Sequence, residues 1–109
     1  MLSEETKASL ILSLLESNLK QDSKSFYSTG KVYVVRTVTM IYLGTLKKEN
    51  SDSLILENAA WIPDTSRWSE FLDGKKPNEM EPYHNDVMVY KGGILDVTEM
   101  TKSMKIELI

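Results

Sequence analysis

Lys31-Val32-Tyr33-Val34-Val35-Arg36-Thr37-Val38-Thr39-Met40-Ile41-Tyr42-Leu43-Gly44-Thr45-Leu46 decides the fold class of this chain. β-Branched and aromatic side chains dominate the run, and such shapes pack well on a pleated surface. It is too long for one straight strand. It therefore predicts two strands, or one bent ribbon, broken near Thr37 to Thr39. Glu49-Asn50-Ser51-Asp52 carries the polar side chains of a hairpin turn. The next strand runs from Ser53 to Ile62, with Leu54 and Leu56 alternating against Ile55 and Glu57. Pro63, which cannot donate to a ladder, is expected to stop it.

Working outward toward the C-terminus, a short inserted helix is expected over 64–73. Asp64 or Thr65 would cap it, Trp68, Phe71 and Leu72 would share one side, and Gly74 would end it. Lys75 to Tyr83, with Pro77 and Pro82, reads as a loop. Asp86 to Tyr90 and Ile94 to Thr98 read as short strands around Lys91-Gly92-Gly93. Met104 to Ile109 alternates and predicts a final edge strand. Toward the N-terminus, Ala8, Ile11, Leu12, Leu15 and Leu19 recur at helical spacing behind a Ser3 cap and the acidic pair Glu4 and Glu5. That helix, over 3–20, needs a partner for its wide apolar stripe. The partner is either the open end of the β unit or another subunit. The expectation is one domain, 1–109, mainly β with α (α+β), with its strands in 31–62 and 86–109.

Composition narrows the function classes. The 109 residues fit one domain with a modest core, which oligomerisation would help. Net charge is −3 and no basic stripe is present, so duplex DNA is not an expected partner. A specific nucleotide pocket built from a few Arg or Lys side chains stays compatible with that charge. With no cysteine, disulfides, thiolate metal sites and a Cys nucleophile are excluded. The acidic start does not read as a secretory leader, and no apolar run reaches the length of a membrane span. A cytoplasmic protein away from membranes is expected.

Two segments carry a resemblance. Ile41-Tyr42-Leu43-Gly44-Thr45-Leu46, a polar turn, then Leu54-Ile55-Leu56-Glu57-Asn58-Ala59 resembles the first Sm motif. Val89-Tyr90-Lys91-Gly92-Gly93-Ile94-Leu95-Asp96-Val97 resembles the second. The likeness spans roughly Val32 to Thr98. It implies a small, bent Sm/SH3-like β-barrel (the Lsm and Hfq type) behind an N-terminal helix, assembling through strand edges and binding nucleotides or RNA in its loops. There are departures. Asn50 stands near the position of the motif's Asp, Ser53 stands where its base-recognising Asn is expected, and Lys91 replaces its Arg. Lys lacks the planar guanidinium fork. The helical insertion is also foreign to the family. Arg36 to Phe71 is, in addition, similar to small uncharacterised proteins of bacteria and their phages.

The densest candidate site is Trp61-Ile62-Pro63-Asp64-Thr65-Ser66-Arg67-Trp68. Aromatic faces stack bases, and Arg pairs with phosphate. The plainer alternative puts Trp61, Trp68 and Phe71 in the core, Asp64 at a cap and Arg67 beside Glu70. Arg36 interrupts an apolar strand, so its head must reach a carboxylate, solvent or a ligand. Lys91-Gly92-Gly93 is either a phosphate-approach loop or a plain hairpin turn. His84, the one histidine, reads as a solvent-exposed loop residue rather than a metal ligand. No nucleophile elbow, P-loop or zinc-protease motif occurs. No enzymatic activity, catalytic residue, metal or cofactor is therefore expected.

The leading expectation is a homo-oligomeric, Sm-like binder of a nucleotide or single-stranded RNA. Arg36, Asn50, Trp61, Asp64, Thr65, Arg67, Trp68, Lys91 and Gly92 are its candidate ligand residues. The alternatives are a phage anti-defence protein that sequesters a cyclic nucleotide signal, or an interaction adaptor that grips a host protein by strand addition.

Overall fold

The computed structural model describes residues 25–109, so the helix expected over 3–20 lies outside the described residues. The chain forms β1 (Val32–Thr37), β2 (Ile41–Glu49), β3 (Ser53–Asp64), α1 (Trp68–Leu72), β4 (Glu79–Pro82), β5 (Val87–Tyr90), a 3-10 turn (Lys91–Gly93) and β6 (Ile94–Glu99). The fold is mostly β: one antiparallel six-stranded sheet in the order β4-β3-β2-β1-β6. β5 pairs with β3 away from that path. Among the described residues no ladder joins β6 to β4 or β5, so the sheet is open and not the closed barrel that the resemblance implies. Among the described residues no helix is long and apolar enough to cross a membrane.

β3 organises the sheet. Its first half pairs with β5, from Ser53 opposite Tyr90 to Leu56 opposite Val87. Its second half pairs with β4, from Ala60 opposite Pro82. The strand bends between these halves. Asn58 takes a positive φ of 45°, which Asn tolerates better than most residues. On β2, Gly44 lies so close to β3 that an added Cβ would stand 2.8 Å from the Cβ of Ala59. The β2–β3 register shifts between Leu43 and Thr45 at the same place. The absence of one side chain thus lets two backbones fold together.

Both faces of the bent sheet are covered. Tyr33, Val35, Leu46, Leu54, Leu56, Ala59 and Val89 form one cluster. Val34, Leu43, Ala60, Ile62, Phe71, Met80 and Met100 form the other. This explains why Tyr33, Val34 and Val35 are all buried in an unbroken apolar run, as befits a strand with no solvent face. α1 lays Trp68, Phe71 and Leu72 on the second cluster, as its apolar side predicts. Gly74 ends α1 at φ 94°. Its N–H donates to the Phe71 carbonyl at 3.0 Å, and that of Lys75 donates to Glu70 at 2.9 Å, a Schellman closure.

Several expectations are corrected. β3 continues through Pro63 to Asp64, because its register with β4 shifts between Trp61 and Asp64 and the ladder steps over the proline. The expected loop 75–83 contains β4, built on the alternation of exposed Glu79 and Glu81 with buried Met80. Neither Asp64 nor Thr65 caps α1. The cap residue is Arg67, while Asp64 accepts the Ser66 N–H at 2.8 Å in a preceding turn. Met104 to Ile109 is not a strand. Met104 and Ile106 pack on the second cluster, and only Ile109 exchanges backbone hydrogen bonds with Met80 of β4, at 2.9 and 3.2 Å. The alternation in the tail marks one apolar side, which seals a face rather than extending an edge.

Phe71→Ala should lose about 3–5 kcal/mol in urea denaturation, as for a fully buried phenyl ring. Gly44→Ala should lose about 1–3 kcal/mol by overpacking against Ala59. Leu108→Ala, at an exposed position, should stay within about 0.5 kcal/mol of the parent. A neutral Gly44→Ala would refute the close-approach explanation of the bend.

Candidate functional site

The fold separates the expected site residues into two loci at opposite ends of β3. At one end the β2–β3 turn and the 3-10 turn meet. The Lys91 N–H donates to the Asp52 carbonyl at 2.8 Å, and Ser53 faces Tyr90 across the ladder. Asn50 donates its side-chain amide to the Ser53 hydroxyl at 3.0 Å and its backbone N–H to the Ser53 carbonyl at 2.8 Å. Lys91 Nζ lies 2.6 Å from Glu49 Oε2 and 5.8 Å from the centroid of the Tyr27 ring. Gly92 and Gly93 are open: a Cβ on either would meet nothing within 4 Å. Asn50, Lys91 and Gly92, drawn from distant stretches of sequence, therefore share one surface.

Charge at this locus is largely satisfied from within. The hydrogen bond from Lys91 and then one from Ser25 hold the Glu49 carboxyl below the usual carboxylate range. Burial raises the Tyr27 hydroxyl, against the opposing field of the Lys91 ammonium. Lys91 and Glu49 are each about three-quarters covered, making this the least exposed ion pair among the described residues.

At the other end, Arg36 stands opposite Asp96 in the β1–β6 register. Its Nε donates to Asp96 Oδ1 at 2.7 Å and its terminal amine pairs with Oδ2. The guanidinium carbon lies 4.9 Å from the centroid of the Trp68 ring. The hydrogen bond from Arg36 holds the Asp96 carboxyl low. Arg36 thus reaches a carboxylate and an aromatic face, which accounts for a charged residue in an apolar strand.

The Trp61–Trp68 block is divided. Trp61 is the cross-strand partner of Tyr42, which packs with the first cluster, whereas Trp68 packs with the second. Trp61 itself packs against neither cluster, so the two indoles have different surroundings. Trp68 tilts against Phe71 with ring centroids 5.8 Å apart. Trp61, half-buried, lines a groove of about 390 Å³ together with Arg36 and the β1–β2 turn. Asp64 accepts from Asn78 at 3.3 Å, and Thr65 donates its hydroxyl to the Ser66 carbonyl at 2.9 Å. Arg67 is exposed and has no ion pair among the described residues. Glu70 takes Lys75 instead, at 3.1 Å. α1 is only five residues long, so its dipole is small. His84 is exposed in the β4–β5 turn.

Sequence reasoning missed three participants: Glu49, Asp96 and Tyr27. Each neutralises or cradles a cation from a different strand or turn. Asp96 meets Arg36 through the β1–β6 register, whereas Glu49 and Tyr27 reach Lys91 only through the tertiary packing of turns and the segment before β1.

Glu49 gives a pH test. Its folded pKa is depressed, so its contribution is present above its unfolded value, near about 4.3 for a glutamate, and is lost as pH falls through the lower folded value. The parent melting temperature should therefore fall on acidification through that window, and Glu49→Gln should show a shallower fall. Equal slopes in thermal melts between pH 7 and pH 3 would contradict this coupling. No protein-family model matches the chain, and no curated protein matches it.

Proposed function

We propose that this chain is a non-enzymatic, homo-oligomeric, Sm-like binding protein whose ligand is a small nucleotide rather than a long RNA. The observation that carries the reading is the meeting of the Asn50 turn and the Lys91-Gly92 turn. These are the two segments through which the Sm resemblance implies ligand recognition. The open backbone at Gly92 and Gly93 leaves room for an anion to approach amide N–H groups.

Charge favours the small ligand. Arg36 and Lys91, two of the three candidate cations, are already held by Asp96 and Glu49. A long strand needs many free cations for its phosphates, and its affinity falls by about 0.7 log units per log salt for each contact. A compact nucleotide needs few. A cyclic nucleotide signal fits that requirement, and sequestering it is the role such binding would serve in phage counter-defence.

Edge geometry supports assembly. β5 and β6 each have one edge unpaired among the described residues, with Met88, Tyr90 and Leu95 exposed along them. Unpaired edges bearing apolar side chains favour strand addition by a second copy.

Native mass spectrometry of protein purified gently from cells carrying nucleotide signalling should show a closed oligomer with added mass of one small nucleotide per site. Binding should have a salt slope shallower than about −1.5, fewer than about two strand-type phosphate contacts. Gly92→Leu should keep the parent melting temperature, because space surrounds that position, yet weaken binding about tenfold (~1.4 kcal/mol). A ligand-free monomer, or no response to a panel of linear and cyclic nucleotides, would overturn the reading. A steep salt slope with RNA would replace the small nucleotide by a strand.

A further inference from the structure

The groove beside Trp61 lies away from the paired turns. Trp61, Pro63, Met40 and Ile41 give it apolar walls, and Thr37 and Thr39 add hydroxyls. Val38 and Leu95 stand exposed and also line it. Its volume, about 390 Å³, falls in the range of small-molecule sites. The turn beneath it is fixed. The Thr37 hydroxyl donates to the Met40 carbonyl and accepts the Met40 N–H, each at 3.1 Å, and the Thr37 N–H donates to the Met40 carbonyl at 2.8 Å.

Charge decides what the groove can take. Arg36 is the one charged residue that lines it; Asp96 pairs with that guanidinium through two hydrogen bonds and Trp68 lies against one face, the side chain staying 43% exposed. A phosphate would have to compete with an internal carboxylate for its only cation. An uncharged planar ring has no carboxylate to compete with, could stack on an indole, and could offset part of its lost hydration with a hydroxyl at its polar edge.

We propose that this groove is a second binding site, specific for a planar, uncharged heteroaromatic ring: the base of a nucleoside or nucleotide, with Trp61 as its stacking wall and Thr39 at its polar edge. The choice of a nucleobase as that ring rests on the nucleotide-binding reading. The uncharged character of the site rests on the Arg36–Asp96 pair alone.

The test uses the full chain with adenosine, guanosine, cytidine and uridine, their monophosphates, and inorganic pyrophosphate. In a Trp68→Phe background, so that Trp61 reports alone, at least one nucleoside should quench fluorescence. It should bind within threefold of its monophosphate at low and at high salt, and pyrophosphate should have no effect. By calorimetry, Trp61→Leu should weaken that nucleoside about tenfold or more, the scale of one base–aromatic stack, and Trp61→Phe should retain it. Thr39→Phe fills the groove from an exposed position and should abolish binding without lowering the melting temperature, which covers the case of a Trp61→Leu chain that fails to fold. Monophosphates that bind while every nucleoside fails would overturn the base site and leave the nucleotide reading standing. So would nucleoside binding that is indifferent to Trp61→Leu and Thr39→Phe. Failure of nucleosides and nucleotides alike would overturn both.

Discussion

Everything in this structure depends on the close approach of β2 to β3 at Gly44. With a hydrogen where other residues carry a Cβ, the strand lies against Ala59 and Leu56. Asn58, at positive φ, lets β3 turn at the same level. One long strand can then bind β5 along one half and β4 along the other. The bend folds Val87 and Val89 of β5 and Val97 of β6 onto the first cluster. It also leaves a second face, which α1 and the tail must cover. Two apolar clusters on one sheet are what give a chain of this size enough buried surface to hold together.

The same bend determines the chemistry. It sets the β2–β3 turn against the 3-10 turn and leaves the β1–β2 turn at the far end of β3. At each end a cation from one element meets a carboxylate and an aromatic ring from others: Lys91 with Glu49 and Tyr27, and Arg36 with Asp96 and Trp68. Such pairing orients each side chain and limits its freedom to bind phosphate. Among the described residues this leaves backbone amides at Gly92 and Gly93, the Trp61 indole, hydroxyls and the exposed guanidinium of Arg67. It is the basis on which we propose a compact, lightly charged ligand.

Much of this was legible from local pattern. The break at Thr37 to Thr39, the hairpin turn at Asn50, the short helix ended by Gly74, and the strands around Lys91 all follow from periodicity and turn chemistry. What escaped was non-local. β4 is only four residues long and lies between prolines, so its alternation of Glu79, Met80 and Glu81 was masked by loop signals. The tail alternates like a strand, yet its apolar side found a face before an edge. Arg36 announced a partner but not which one, because Asp96 lies 60 residues away and meets it only through the β1–β6 register. The Trp61–Trp68 block looked like one site because its members are close in sequence. The end of β3 and the turn after it separate them: Trp68 packs on the second cluster with α1, whereas Trp61 lines the groove beside the β1–β2 turn.

The most direct measurement is a chemical-shift map of the 15N-labelled full chain titrated with a nucleotide. Shifts are expected at the amides of Asn50 to Asp52 and Lys91 to Gly93, at Thr37 to Thr39, and at the indole N–H of Trp61. The indole of Trp68, held between Arg36 and Phe71, should stay in place. Shifts centred on the tail from Met104 to Ile109 and on α1, or no shifts at millimolar ligand, would contradict the nucleotide-binding reading.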